Sequence, residues 1–288
     1  MISRYSVSLG GKAMTAISTD ISNGLLILDI AHSTPEIETT ETILGALDGY
    51  EVSRIYYKKR TVTISFELHI YDIAKRNKAC QDINAWAANG GNLVVNDRSG
   101  QFLNVRCETF ANIASARNWT DPLTLVFATD TVPFWQSSTE NVKTLKGTNT
   151  SGSMAVSGNA GNAIVNISLK ALAAVNNVTF MAYEGGGNVI NNSASIPVGG
   201  VTYAQMANAQ IARQLHFTGL GMANGQTLSI SYINGRYLNA VVGNRSVLDC
   251  LHKDSYDSLL VPCGKTCTFK FQSSGNAEVT FRTRGLWL

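Results

Sequence analysis

Four residues of the types that bind zinc fall within one stretch of the chain: Cys250, His252, Cys263 and Cys267. Thiolate sulfur and neutral imidazole are the usual zinc ligands, and Cys250 and His252, two residues apart, share a face if their segment is a strand. The spacing matches no common finger or ribbon, however, and free cysteine is among the most buried of residues. Core thiols are therefore expected and no metal is assigned. The same stretch holds Cys263-Gly264-Lys265-Thr266, the ending of a phosphate-binding loop. Such a loop wraps phosphate in backbone amides and needs a glycine five residues before the Gly-Lys pair. Leu259 stands there and a strand-like run follows, so no nucleotide or other cofactor is expected.

Other chemistry is no better supported. Glu36, Glu38, Glu41 and Asp48 could supply the paired carboxylates of a glycosidase, but such a cluster reads more simply as a solvated loop. The four histidines, His32, His69, His216 and His252, sit in unrelated contexts, and no Gly-x-Ser-x-Gly elbow occurs. Tyr56-Tyr57-Lys58-Lys59-Arg60 mixes the aromatic and basic residues that stack on single strands of nucleic acid. No wider basic stripe accompanies it, so strand-edge packing or subunit contact is the reading. The expectation is a protein that is not an enzyme and does not bind nucleic acid specifically.

The elements that would carry these residues are mostly strands. Val62, Ile64, Phe66, Leu68 and Ile70 alternate with polar residues over Thr61 to Tyr71. Leu25 to Ile30 is a nearly continuous apolar run, the pattern of a strand buried on both faces. Asp72 is placed to cap a helix through about Ala88, with Ile73, Ile83 and Trp86 toward the core, and Asn89-Gly90-Gly91 ends it. Leu93 to Val95 and Phe102 to Val105 flank the turn residues 97–100 as a hairpin. Leu123 to Ala128 closes this block and runs into Pro133-Phe134-Trp135.

After Trp135 the composition shifts to QSSTENVKTLKGTNTSGS, which marks a boundary: residues 1–135 form an N-terminal α+β domain and 136–288 a C-terminal one. The small polar residues between about Gln136 and Gly161 are the expected site of proteolytic nicking. Beyond it lie short strands at Ala163 to Leu169, Val178 to Tyr183, Ile211 to Phe217, Thr227 to Ile233, Thr268 to Gln272 and Ala277 to Arg282. Turns at Gly185-Gly186-Gly187 and Ser274-Gly275-Asn276 divide them, the pattern of a β-sandwich. Thr202 to Ala212 reads as strand or helix.

The totals agree with a mainly β protein. Among 288 residues there are 25 glycines and only 5 prolines, 15% of residues are charged, and the net charge of +3 is too small for a nucleic-acid binder. No apolar run reaches the length of a membrane span, and MISRYSVSLGG lacks the apolar run of a signal peptide. Five cysteines without framework spacing suit reduced thiols. Asn118-Trp119-Thr120 is read as a chance sequon.

The order of segments resembles the distal tail proteins of long-tailed, non-contractile bacteriophages. The resemblance rests on LGALDGYEVSRIYYKKRTVTISFEL (Leu44 to Leu68), DINAWAANGGNLVVNDRSGQFLNVRC (Asp82 to Cys107) and LTLVFATDTVPFW (Leu123 to Trp135) in the first half. In the second half it rests on GQTLSISYINGRYL (Gly225 to Leu238), LLVPCGKTCTFKF (Leu259 to Phe271) and NAEVTFRTRGLWL (Asn276 to Leu288). It covers nearly the whole chain, and its order rather than any single motif carries it. One departure is that Cys263 separates Pro262 from Gly264, and Thr266 stands where the family has Asn.

The resemblance implies a structural hub at the virion tail tip, assembled in the host cytoplasm as a homo-hexameric ring that joins the tail tube to the host-adsorption apparatus. The N-terminal domain, a β-sandwich with one helix and a β-hairpin, would form the ring. The C-terminal domain would be a galectin-like β-sandwich directed at receptor-binding proteins. The tail tube protein and a tail-tip hub or tail-associated protein would be the other neighbours. Phe134 and Trp135 would form the interdomain hinge, and Tyr56, Tyr57, Lys58 and Arg60 are the expected ring contact. The alternative is a carbohydrate-binding receptor-recognition module, for which Trp119 and Trp287 are the candidate aromatic platforms.

Overall fold

A computed structural model describes residues 4–44, 49–114, 121–185, 189–191, 210–233, 237–253 and 255–288; the side chains of 40–44, 49–56, 189–191 and 210–213 lie outside that description. The chain folds as two compact units, Met1–Gln136 with Leu288, and Ser137–Trp287. In the first, chain order runs β1 (Val7–Leu9), β2 (Lys12–Ala13), α1 (Thr19–Gly24), β3 (Leu25–His32), β4 (Ile37–Leu44), β5 (Gly49–Tyr57), β6 (Thr61–Leu68), α2 (Ile73–Ala88), β7 (Gly91–Val95), β8 (Gln101–Thr109) and β9 (Leu123–Thr129).

Strand β6 sits at the centre because its alternation is complete: Val62, Ile64, Phe66 and Leu68 are buried and the residues between them are half-buried. It pairs antiparallel with β3 on one side and β9 on the other. Strands β8, β7, β1 and β2 continue the sheet beyond β9. Strand β3 departs from the expectation of burial on both faces. Leu25, Ile27 and Ile30 are buried, but Leu28 and Asp29 face out. A bulge between Ile27 and Asp29 shifts the register, so the apolar run changes phase rather than filling two layers.

Helix α2 covers the sheet. Asp72 caps it, accepting from the Lys75 amide at 3.1 Å. Ala79, Cys80, Ile83, Trp86 and Ala87 form the buried stripe. Trp86 meets Phe127 of β9 edge-to-face at 6.3 Å and donates Nε1–H to the Lys12 carbonyl at 3.0 Å. Ile73, expected in the core, is 57% exposed. Arg76 takes the inner position of the first turn instead, because its Nε and Nη2 donate to the carbonyls of Ile70 and Tyr71 at 2.7 and 3.2 Å. Gly90, at φ +60°, ends the helix in the left-handed conformation that favours glycine.

The second unit contains most of β10 (Trp135–Ala155), then β11 (Asn162–Ala171), β12 (Val178–Glu184), β13 (Val189–Asn191), β14 (Gln210–Phe217), β15 (Thr227–Ile233), β16 (Tyr237–Val242), β17 (Arg245–Ser246), β18 (Leu260–Pro262) and β19 (Thr266–Trp287). Of the stretch that reads as strand or helix, 202–209 lies outside the described residues and 210–212 opens β14. The polar run after Trp135 is not an irregular linker: it is the 21-residue strand β10, paired with β19. Ladder hydrogen bonds hold its backbone, and alternating exposure tolerates serine and threonine on the open face.

Strand β19 likewise overturns a sequence expectation. Ser274-Gly275-Asn276 does not reverse the chain. Residues 267–273 pair with β12 and residues 277–283 with β11, so one long ribbon turns a corner there. Twelve residues of straight strand (281 − 269) would span roughly 40 Å, yet the Phe269 and Phe281 rings lie 5.1 Å apart. Phe180 meets Phe281 edge-on at 6.2 Å, and with Phe217 and Phe271 these rings are fully buried. The corner is sealed by Leu172 and Ala173 amides donating to the Asn276 carbonyl and by Ser274 N–H donating to Asn177.

Candidate functional site

Chemistry-bearing residues are placed without convergence. Cys263 lies in the turn between β18 and β19 and Cys267 in the buried start of β19. Cys250 and His252 lie in a segment laid against β14, where His252 N–H donates to the His216 carbonyl at 2.8 Å and the two imidazole rings are 5.0 Å apart. Among the described residues no group of three or more His, Cys, Asp or Glu is placed to hold a metal ion. The amides of Cys263 and Gly264 donate to the carbonyls of Gly161 and Val156, and β19 begins at Thr266, so this turn presents no phosphate cradle.

Burial pushes the Cys80 and Cys267 thiols up to about 11, which leaves about one thiolate in a thousand at pH 8. Native protein at that pH should therefore label slowly at both positions, and all five thiols should react after unfolding without reductant. Rapid native labelling of Cys267, or fewer than five thiols in the unfolded chain, would contradict this burial.

Strands β4 and β5 form a hairpin that is a two-stranded sheet of its own, running from Ile37 opposite Tyr57 to Leu44 opposite Gly49. At its base Lys58 N–H donates to the Glu36 carbonyl at 2.8 Å, and Lys58 Nζ lies 3.7 Å from the Glu36 and Glu38 carboxylates. Both carboxylates are exposed, as a solvated face rather than a catalytic pair requires. The Glu41 side chain and Asp48 lie outside the described residues, as do the Tyr56 side chain, Asn118 and Trp119. Trp287 is half-buried.

Tyr57 and Lys58 are exposed, and Ile37, directly opposite Tyr57, is more exposed still. Arg60 is different: only 1% of it is exposed, so it offers a neighbouring chain no surface and drops out of the expected contact. The reason is the first register of β6, which points its side chain inward while its N–H donates to Thr129 Oγ1 at 2.9 Å. Phe134 and Trp135 are buried in the first unit. Phe134 meets Tyr57 edge-on at 4.9 Å, and Trp135 meets His32 at 5.5 Å. The separate hairpin was not read from the sequence, although Asp48-Gly49, a strong hairpin signal, was there to find.

The sequence matches no protein-family model and no curated protein sequence. The fold does resemble that of a solved phage tail protein. The chain aligns with the crystal structure of the Dit (gp 19.1) protein of phage SPP1, a hub adsorption apparatus of Gram-positive-infecting phages, at TM-score 0.65 and 11% identity, covering 97% of this chain and 98% of that one. Chains of the phage P2 baseplate in its activated conformation also align, at TM-score 0.46 and 8% identity, covering 99% and 98% with Ca and 97% and 97% with Sr. The fold is thus mainly β and Dit-like, and no helix among the described residues is long and apolar enough to cross a membrane.

Proposed function

We propose that this protein is a structural component of a phage tail tip, a hexameric ring that joins the tail tube to the host-adsorption apparatus and carries out no catalysis. The observation that carries this reading is the alignment with the SPP1 Dit protein, which spans nearly the full length of both chains. The first unit forms the ring. The second, read as a galectin-like sandwich, serves the receptor-binding proteins, and the chain leaves the first unit directly after Phe134 and Trp135. The tail tube protein and a tail-tip hub or tail-associated protein bind the ring, which is assembled in the host cytoplasm and resides in the virion.

A closed ring needs one surface of each subunit to meet a different surface of the next. The β4–β5 hairpin supplies such a surface. An isolated two-stranded hairpin is marginally stable in water, and a neighbouring copy that covers Ile37 and Tyr57 would stabilise it.

Native mass spectrometry and negative-stain imaging of the full chain test the reading. Rings of six subunits are expected, and the isolated first domain, residues 1 to 135, should also form them. Replacing Tyr56 and Tyr57 with alanine should shift rings toward monomers while the fold persists, since truncating a desolvated interface tyrosine costs about 2 kcal/mol or more. A chain that stays monomeric at high concentration and in the particle would end the hub reading. Rings indifferent to the tyrosine change would remove only this choice of contact.

A further inference from the structure

The start of α2 holds apolar side chains out in solvent on a backbone that is fixed in place. Residues 71–75 are all exposed, Tyr71 by 99% and Ile73 by 57%. The bend that carries them is secured from two sides. His69 N–H donates to the Gly24 carbonyl at 2.7 Å, and a Cβ on Gly24 would lie 2.7 Å from Ile70 Cγ1, so the end of α1 packs directly against it. From within, the buried Arg76 guanidinium donates to the carbonyls of Ile70 and Tyr71, and Asp72 caps the helix. Side chains on a preordered backbone lose less entropy on association, and an aromatic ring gains by being desolvated there.

This platform and the β4–β5 hairpin lie at opposite ends of the central strand. The hairpin returns through Lys58 to the start of β6 at Thr61, whereas Tyr71 follows the end of β6 at Leu68. Eight residues of strand span roughly 26 Å, so the two surfaces do not meet within one subunit. Both are apolar at the centre, the hairpin base through Ile37 and Tyr57. Their charges also differ. At the hairpin base Lys58 alone faces two exposed carboxylates, Glu36 and Glu38, because the next lysine, Lys59, is turned to Glu108. At the start of α2 the exposed Lys75 and the positive end of the helix stand against the capping Asp72.

We propose, resting on the ring reading above, that Tyr71 and Ile73 receive the hairpin base of the next copy of this chain. Ile37 and Tyr57 of one subunit pack on Tyr71 and Ile73 of its neighbour, with Lys75 toward Glu36 and Glu38. A head-to-tail contact needs two different surfaces on every subunit, and the two ends of β6 supply them.

The test compares three full-length chains by sedimentation velocity and native mass spectrometry: the natural one, Tyr71→Ser with Ile73→Ser, and Ile37→Ser with Tyr57→Ser. Each variant alone should be monomeric, since losing one anchoring tyrosine weakens a junction by roughly thirtyfold. An equimolar mixture of the two variants at high concentration should form dimers and nothing larger, because one intact hairpin then meets one intact platform. Rings formed by a folded Tyr71→Ser, Ile73→Ser chain as readily as by the natural one would overturn the proposal and leave the ring reading standing. A mixture that stays monomeric would show that the two surfaces are not halves of one contact and would overturn it as well. A natural chain that forms no ring ends both readings together. If the double variant at the start of α2 does not fold, Tyr71→Ala alone, at a side chain almost wholly in solvent, carries the same test.

Discussion

Replacing Gly275 with alanine is expected to destabilise the second unit by about 4 kcal/mol or more, the extreme of what one substitution does. A Cβ at this position would lie 2.0 Å from the Ala174 carbonyl oxygen and 3.0 Å from its carbon. Those atoms are backbone, so no side-chain rotation relieves the overlap. Nor can the backbone withdraw, because Leu172 and Ala173 are hydrogen-bonded to Asn276 and Ser274 to Asn177 across the same corner. Opening the corner would also separate Phe269 from Phe281, and with them the aromatic core. Gly221 is the control. It has φ +59° and nothing within 4 Å of its would-be Cβ, so alanine there costs about 1 kcal/mol of backbone strain. Calorimetric unfolding of both variants measures the contrast. A Gly275→Ala chain that melts like the Gly221→Ala chain would show that the corner is not packed as described.

Removing the β4–β5 hairpin, by joining Pro35 to Lys58 with a short Gly-Ser link, should abolish ring formation and leave the first unit folded. The hairpin contributes no strand to the main sheet, and β3 and β6 are closed at its root by Ser33 N–H donating to the Thr61 carbonyl at 3.0 Å. The loss within the chain is chiefly the edge-on contact of Tyr57 with Phe134, worth about 1 kcal/mol beyond its buried area. Assembly loses far more, because the proposed contact is repeated at every junction of the ring. Sedimentation velocity on the shortened chain should show a single monomeric species, with circular dichroism close to that of the intact protein. Rings that survive the deletion would place the contact elsewhere. Loss of the first unit's thermal transition would show that the hairpin is part of its core.

The sequence by itself determined the local elements. The alternation of Val62, Ile64, Phe66 and Leu68 defines β6, and Asp72 with Asn89-Gly90 brackets α2, because periodicity and caps depend on residues within a few positions of one another. It also carried, in the order of its segments, the resemblance to a fold that the structure then displays. Features set by distant partners were not legible in it. The bulge that turns Leu28 outward depends on the register between β3 and β6. Ser274-Gly275-Asn276 has the composition of a reversing turn, and its role as a corner follows from Ala174, a hundred residues away in the chain. The polar run after Trp135 becomes a strand because β19 supplies its hydrogen bonds. Arg60 looks in sequence like the end of an exposed basic run, and only the assembled sheet buries it. Charge and burial belong to three-dimensional neighbourhoods, so tertiary structure alone decides what such a residue does.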